Sequence, residues 1–260
     1  MKRASLFNRL WRWLATGVFF LVFGLGGLIL SLIWFTLLRL VVRDPNRLNR
    51  LTLNSIKYSF KFFLNLLRVA GVMDYRIEGA DLFDQDKGCL IVANHPSLLD
   101  YVLLASCMPR CDCIVKAALL KNPFVKGVIK AAGYLVNSGS NALLESCKQR
   151  LDAGGSLLIF PEGTRTPEGK AIVLQRGAAN IALRADCDIR VVQISCHPPM
   201  LTKQGRWYNI PPNKPHFVIR VKDKIAAREF IEPDDLSLAM AARRLTHRLR
   251  SELMLKNNEK

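Results

Sequence analysis

Residues 89–107 read CLIVANHPSLLDYVLLASC. The first five are apolar and have the length of a buried strand, and the polar turn Asn94-His95-Pro96 separates them from a second apolar run of helical length. Together they predict a strand, a turn and a helix, the unit from which α/β domains are built. In such domains ligands bind beyond the carboxyl ends of the strands, which is where this turn lies.

The same alternation of apolar strands and helical stretches continues over the chain from residue 74. It predicts strands at 75–77, 89–93, 113–116, 134–136, 157–160, 191–195 and 217–221, and helices near 98–107, 123–132, 141–153, 177–185 and 234–255. We therefore expect residues 74–260 to form one α/β domain with a mainly parallel central sheet flanked by helices. The last helix would begin at the acids Asp234 and Asp235, as its macrodipole favours.

The first 73 residues are expected to form a helical membrane anchor. Residues 13–38 are 26 positions without a charge, about 39 Å as a helix, against roughly 30 Å of bilayer hydrocarbon. Gly24, Gly26 and Gly27 interrupt this run, so a re-entrant hairpin of two half-helices is an alternative to one crossing. Residues 46–70 predict a basic amphipathic helix that either lies on the membrane surface or packs on the domain, and Gly71 closes it.

Charge and composition narrow the class of protein. The chain is 50% hydrophobic and 23% charged, which excludes a disordered protein. Of the net charge of +17, residues 1–73 carry +10, from 11 Lys and Arg against one acid. This excess flanks the apolar run, which favours an anionic lipid surface as the partner over nucleic acid, for which no binding motif is present. Seven cysteines without a CxxC pair favour a reducing compartment.

His95 is the first candidate for chemistry. Asp100 follows it by five residues, close enough to accept the Nδ1 hydrogen of the imidazole and hold Nε2 as a free base. The same spacing also surrounds histidines that only stabilise a fold, so a second motif has to decide between the two interpretations.

That second motif is FPEGTR, residues 160–165, which again follows an apolar strand. Gly163 lets the backbone approach a ligand closely, Thr164 offers a hydroxyl, and the planar guanidinium of Arg165 suits a phosphate group. The alternative is a polar turn without a ligand. We consider that alternative much weaker for the two motifs together than for either alone.

The combination of residues 94–100, NHPSLLD, with FPEGTR resembles the glycerolipid acyltransferase family, which includes bacterial 1-acyl-glycerol-3-phosphate acyltransferases. The resemblance covers roughly residues 74–199 and includes the segment that begins at Lys116. It implies transfer of a fatty acyl group from acyl-CoA or acyl carrier protein to the hydroxyl of a lysophospholipid, in phospholipid biosynthesis, with no metal or other cofactor. It also implies an inner (cytoplasmic) membrane location with the domain on the cytoplasmic side.

The resemblance further implies roles for individual residues. His95 would be the general base and Asp100 would orient it. Glu162, Gly163, Thr164, Arg165 and Lys116 would bind the acceptor, with Glu162 either near its hydroxyls or bracing the loop. The donors that would stabilise an oxyanion are not identified, and Pro96 has no backbone hydrogen to offer.

Two departures from the family pattern leave the acceptor open. Val136-Asn137-Ser138 stands where the family usually has a second phosphate-binding arginine, although Lys116 or Arg176 could compensate, and the final apolar block has the form VQISCHPP at residues 192–199. The same chemistry on an ornithine lipid or a lipid-linked specialised metabolite is therefore an alternative. A lysophospholipid hydrolase and a non-enzymatic scaffold on the membrane surface are the others.

Overall fold

The computed structural model describes residues 6–137, 141–167, 169–233, 235 and 237–254. Its strands are β1 Asp74–Glu78, β2 Leu90–Ala93, β3 Asp112–Lys116, β4 Leu135–Asn137, β5 Leu157–Ile159, β6 Asp188–His197 and β7 His216–Ala226. Its α-helices are α1 Leu6–Ile29, α2 Phe35–Val41, α3 Pro45–Val69, α4 Asp100–Cys107, α5 Pro123–Ala132, α6 Asn141–Asp152, α7 Gly177–Ala185 and α8 Leu238–Leu253. A π-helical turn, Leu30–Trp34, joins α1 to α2, and 3-10 turns lie at Ala80–Gln85, Ala117–Lys121 and Ala227–Phe230.

The seven strands form one sheet in the order β1-β7-β6-β2-β5-β3-β4. The neighbours from β6 to β4 pair in parallel, whereas β7 is antiparallel to β6 and parallel to β1. The expected α/β domain with a mainly parallel sheet is therefore confirmed. β1 and β7 run against the other five strands, so both begin at the edge where β2, β5 and β6 end.

Alternate residues of the strands face two separate cores. In β2, Ile91 and Ala93 belong to a core with the residues of α3 and α4, whereas Leu90 and Val92 belong to a core with α7 and α8. All four side chains are fully buried. Helices thus cover both faces of the sheet, as a parallel sheet requires.

The last helix starts later than predicted. α8 begins at Leu238 with Ser237 as its N-cap, so Asp235 lies ahead of it, and Asp234 is outside the described residues. The carboxylate of Asp235 instead accepts hydrogen bonds from the Arg244 guanidinium and from the Glu232 backbone N–H at 2.9 Å. The prediction that acids open this helix is therefore wrong, because Asp235 caps the preceding turn.

The N-terminal segment is one continuous helix from Leu6 to Val41, 36 residues that are long and apolar enough to cross a membrane. It passes straight through Gly24, Gly26 and Gly27, so the hairpin alternative is wrong. A helix satisfies each backbone group within itself, and a break in apolar surroundings would leave such groups unpaired. Two of these glycines face α5 instead: a Cβ on Gly24 would meet the Phe124 ring at 3.2 Å, and one on Gly27 would meet the Phe124 carbonyl oxygen at 2.3 Å.

The amphipathic helix predicted for residues 46–70 is α3, which packs on the domain. Asp44 caps its start by accepting from the backbone N–H groups of Asn46 and Arg47, and Gly71 follows its end with φ +70°. Its buried apolar side chains are Leu53, Ile56, Phe63, Leu64 and Leu67. Since these belong to the same core as the sheet, the division of the chain at residue 73 stays a prediction.

Candidate active site

The two sequence motifs lie side by side. β2 and β5 are parallel neighbours with Val92 opposite Ile159, so the turns that follow them leave the same edge of the sheet. The His95 backbone N–H donates to Oε1 of Glu162 at 2.7 Å, and the His95 carbonyl accepts from the Thr166 backbone N–H at 3.1 Å. Two segments far apart in sequence are thereby joined at the histidine.

His95 and Asp100 form a hydrogen-bonded pair. Nδ1 of His95 lies 2.8 Å from Oδ2 of Asp100, and the same oxygen accepts the Ser97 backbone N–H at 2.7 Å. The turn over residues 96–99 makes this possible, because α4 begins at Asp100 and not at residue 98 as predicted. Phe160 stacks on the imidazole with 4.3 Å between ring centroids. The ring is thus held on one edge and one face.

The exposure of the pair fits an oriented base. The Asp100 side chain is fully buried, whereas 20% of the His95 side chain is exposed. Burial raises the pKa of Asp100, and the hydrogen bonds from His95 and Ser97 oppose that rise. Within the described residues no side chain engages Nε2 of His95, so this nitrogen is available to a substrate proton.

Glu162 is a buried carboxyl group behind the histidine. It is 7% exposed, and burial raises its pKa from 4.5 to about 6, against the opposing hydrogen bond from His95. Its second oxygen, Oε2, has no partner among the described residues. Of the two roles expected for Glu162, the geometry matches bracing of the loop, since Oε1 holds the backbone of His95.

The rest of the second motif turns sharply after Glu162. Gly163 has φ +66°, a left-handed conformation that favours glycine, and its N–H closes a turn on the Phe160 carbonyl at 3.0 Å. Thr164 is half-buried. Nη1 of Arg165 donates to the carbonyl oxygens of Leu201 at 2.8 Å and Thr202 at 3.1 Å. Arg165 therefore has a structural contact in addition to the phosphate contact expected of it, and its Nε and Nη2 make no hydrogen bond within the described chain.

The two other candidate cations, Lys116 and Arg176, make no hydrogen bond with His95 or Asp100 in the described chain. Lys116 ends β3, the strand beyond β5, and its side chain is exposed. Arg176 is exposed and precedes α7. The structure thus brings His95, Asp100, Glu162 and Arg165 to one edge of the sheet, with Lys116 at the same edge but without a hydrogen bond to them within the described chain.

The end of β6 and the segment after it support the histidine turn, a role that the sequence did not predict. Asn94 bridges β2 and β6, donating from Nδ2 to the Ile194 carbonyl at 2.8 Å and accepting the Ile194 N–H at 2.6 Å. Oγ of Ser97 donates to the Met200 carbonyl at 2.9 Å, and the Leu98 N–H donates to the Leu201 carbonyl at 3.2 Å. A buried Asn between a strand and a histidine was the one available signal, because short polar side chains at strand ends often replace ladder hydrogen bonds.

Metal ligands do not cluster in the part of the chain that is described: no three His, Cys, Asp or Glu side chains there could hold an ion together. Cys111 and Cys113 are buried, and burial raises the pKa of the Cys113 thiol to about 12. A thiol with so high a pKa is inert at neutral pH. The expectation that the protein needs no cofactor remains a prediction.

The sequence of this chain is similar to those of known proteins. Residues 74–196 match the family model Acyltransferase. A 1-acyl-sn-glycerol-3-phosphate acyltransferase of Helicobacter pylori is 32% identical over 152 residues, which cover 56% of this chain and 60% of that protein. The alpha form of the mouse enzyme is 26% identical over 182 residues, 66% of this chain and 62% of that protein. The matched part of the chain thus spans about three fifths of these relatives.

A solved structure supports the fold. The crystal structure of a 1-acyl-sn-glycerophosphate acyltransferase from Thermotoga maritima superposes with a TM-score of 0.67, covering 94% of this chain and 100% of that one at 22% identity. At that identity the likeness shows the fold alone. The family model and the curated relatives carry the assignment: residues 74–196 match the Acyltransferase family, and the relatives that share this region are named 1-acyl-sn-glycerol-3-phosphate acyltransferases.

Proposed function

We propose that this protein is a membrane-associated O-acyltransferase that moves a fatty acyl group from acyl-CoA or acyl carrier protein to the hydroxyl of a lysophospholipid of the 1-acyl-glycerol-3-phosphate type. The observation that carries the proposal is the contact of 2.8 Å between Nδ1 of His95 and the fully buried Asp100. Curated relatives named 1-acyl-sn-glycerol-3-phosphate acyltransferases support the acceptor.

In this reaction Nε2 of His95 takes the proton of the acceptor hydroxyl as its oxygen attacks the thioester carbonyl. The tetrahedral intermediate then collapses, the carbon–sulfur bond breaks, and the leaving thiolate takes the proton from the imidazolium. Asp100 stabilises the positive imidazolium through Nδ1. General base catalysis of this kind contributes about 10²- to 10⁴-fold in rate.

The phosphate of the acceptor would lie against Thr164 and against Nε and Nη2 of Arg165, the two guanidinium nitrogens without a hydrogen bond in the described chain. Lys116 would add charge from the same edge of the sheet, and Arg176 would add charge from the start of α7. A second candidate is the same transfer to an acceptor with fewer negative charges, such as an ornithine lipid or a lipid-linked specialised metabolite. The observation that favours it is that Nη1 of Arg165 already binds two carbonyl oxygens, which leaves fewer donors for a dianionic phosphate.

The location proposed is the cytoplasmic face of an inner membrane. The helix from Leu6 to Val41 is long enough to hold the domain there. Acyl-CoA and acyl carrier protein are made on that side, and seven free thiols suit a reducing compartment.

The test uses membranes that contain the full chain, labelled acyl-CoA or acyl carrier protein donors, and a panel of lysolipids, with products identified by mass. His95→Ala should abolish a new acyl ester that the unsubstituted protein makes. His247→Ala is the matched control, because His247 is an exposed histidine on α8.

Each other outcome points elsewhere. Equal product from both variants would show that His95 is structural and would overturn the proposal. If product forms on other lysolipids but not on lysophosphatidic acid, the second acceptor class is favoured. Free fatty acid released without any acceptor would indicate a hydrolase.

A further inference from the structure

We propose that a cleft between the start of α1, the end of α3 and the segment before β7 binds the phosphate group of a membrane phospholipid. The cleft has a volume of about 440 Å³, and Phe7, Trp11, Arg12, Val69, Asn213 and Lys214 are among the residues that line it. None of the lining residues belongs to either motif at His95. The lipid bound here is therefore additional to the acyl donor and acceptor.

Arg12 is the residue that points to an anion. Its side chain is 1% exposed, and Nη2 donates to the Pro212 carbonyl at 2.5 Å. Its Nε and Nη1 have no hydrogen-bond partner among the described residues. A buried guanidinium without a counter-charge is costly, and an anion that reached Arg12 would supply that counter-charge and accept from its free N–H groups.

No carboxylate among the residues that line the cleft supplies a counter-charge for Arg12. The acid at this end of the sheet is Asp74, which is already held by Arg68 at 2.8 Å and by Lys214 at 3.4 Å. Lys214 is 44% exposed and adds a second cation to the lining. An anion that enters the cleft would therefore meet Arg12 and Lys214 with no carboxylate between them in the lining.

The residues at the mouth of the cleft favour a lipid as the ligand over a free anion. Val69 is 86% exposed, Phe7 79% and Trp11 50%, so apolar surface surrounds the cationic interior. Trp11 also donates from Nε1 to the Ala70 carbonyl at 2.8 Å, which ties α1 to the end of α3. Arg12 and Trp11 lie near the start of the long apolar helix, at the level where lipid phosphates and indole rings are found in a bilayer. A phospholipid would place its phosphate on Arg12 and its acyl chains over the exposed apolar side chains.

The cleft opens at the same edge of the sheet as the candidate active site. Asp74 in β1 pairs with His216 in β7, and His216 pairs with His197 at the end of β6. Ile194 of β6 in turn is bridged to Asn94 beside the histidine turn. A phospholipid in the cleft would thus fix this edge, and His95 with it, against the membrane.

The test is native mass spectrometry of the full chain in a non-ionic detergent, titrated with phosphatidylglycerol, with diacylglycerol of the same chains, and with inorganic phosphate. We expect saturable binding of one phosphatidylglycerol that diacylglycerol does not match. Arg12→Gln should weaken it about tenfold or more, as expected for loss of a charge-assisted hydrogen bond. Arg9→Gln removes the same charge from an exposed position one turn earlier on the same helix and should weaken binding much less than Arg12→Gln does.

A second pair of variants keeps the test independent of any effect of Arg12 on folding. Val69→Asp places a negative charge at the mouth of the cleft and should weaken binding, whereas Val69→Asn has the same shape without the charge and should not. Equal effects within either pair would overturn the proposal, as would equal binding of diacylglycerol. If inorganic phosphate displaces the lipid at similar concentrations, the site recognises free anions and the lipid proposal is wrong.

Discussion

At the scale of single residues, Asp100 should be needed for the rate and not for binding. Oδ2 accepts hydrogen bonds from both Nδ1 of His95 and the Ser97 backbone N–H. In Asp100→Asn the amide oxygen can still accept these two hydrogen bonds, but the neutral side chain cannot stabilise an imidazolium by charge. We expect kcat to fall by about 10²- to 10⁴-fold, with KM for the acceptor within about threefold of its original value.

The measurement is steady-state acyl transfer, with circular dichroism to show that the variant is folded. Asp112→Asn is the matched control, because Asp112 is likewise a buried aspartate that accepts a side-chain hydrogen bond, from Arg150, but lies outside the motifs. A kcat for Asp100→Asn within a factor of three of the control would show that the pair is structural.

Glu162 predicts a pH dependence of stability. Its pKa rises from 4.5 to about 6 on folding, mainly because burial disfavours the carboxylate. The folded state therefore binds more protons than the unfolded state between these values, so the free energy of unfolding falls as pH rises from about 4.5 to 6. A shift of this size corresponds to about 2 kcal/mol.

Glu162→Gln keeps an oxygen for the His95 N–H but does not titrate. The Tm difference between Glu162→Gln and the unsubstituted protein should be small at pH 4.5 and should favour the variant by several degrees above pH 6. A Tm difference for Glu162→Gln that stays constant over this range would contradict the raised pKa.

The sequence predicts the catalytic residues of the site better than it predicts the hydrogen bonds that hold them in place. His95 and Asp100 are five positions apart, so spacing on one local segment is enough to bring them together. The contacts of Asn94 with Ile194, of Ser97 with Met200 and of Arg165 with Leu201 involve a segment that lies 36 to 103 positions away. Local patterns carry no information about partners at that separation.

At the scale of elements, α1 packs so closely on α5 at Gly27 that one added methyl group should disturb the contact. A Cβ on Gly27 would lie 2.3 Å from the Phe124 carbonyl oxygen, whereas one on Gly26 would have nothing within 4 Å. Gly27→Ala should therefore force the helices apart at a cost of about 1–3 kcal/mol. Gly26→Ala should be neutral or stabilise by up to about 1 kcal/mol, because alanine is the better helix former.

Thermal unfolding in detergent compares these neighbouring positions directly. We expect Gly27→Ala to lower Tm by about 2–10 °C and Gly26→Ala not to lower it. An equal change in both variants would indicate that α1 does not pack against α5 in this way.

The elements themselves were largely predictable, and their arrangement was not. All seven strands lie where alternation of apolar runs places them, because an apolar run of strand length is a local property of the sequence. The reversal of β1 and β7, and the position of β7 between β1 and β6, depend on contacts between distant segments. Gly24 to Gly27 left the hairpin open in sequence, since a glycine that breaks a helix and one that admits a neighbouring helix look the same there.

At the scale of the whole molecule, the N-terminal segment contributes to the core as well as to an anchor. α3 supplies five buried apolar side chains to the core under the sheet, whereas the helix from Leu6 to Val41 supplies only Ala15 and Phe35 as buried apolar residues. At about 1.5–3 kcal/mol for each large side chain, α3 accounts for roughly 8–15 kcal/mol. Before the conformational entropy cost of ordering α3 is subtracted, that gain is as large as the net stability of an ordinary domain, about 5–15 kcal/mol.

Two deletions should therefore differ sharply. Removal of residues 1–42 retains α3 and its N-cap Asp44, so the remaining chain should unfold cooperatively at a lower Tm and lose most of its affinity for vesicles. Removal of residues 1–73 exposes the face of α4 against which α3 packs, and that chain should fail to fold or should aggregate. Circular dichroism melts and sedimentation with vesicles measure both properties. A stable, monomeric 74–260 fragment would mean that α3 is a surface helix whose contacts the domain does not need, and that the division at residue 73 is a true domain boundary.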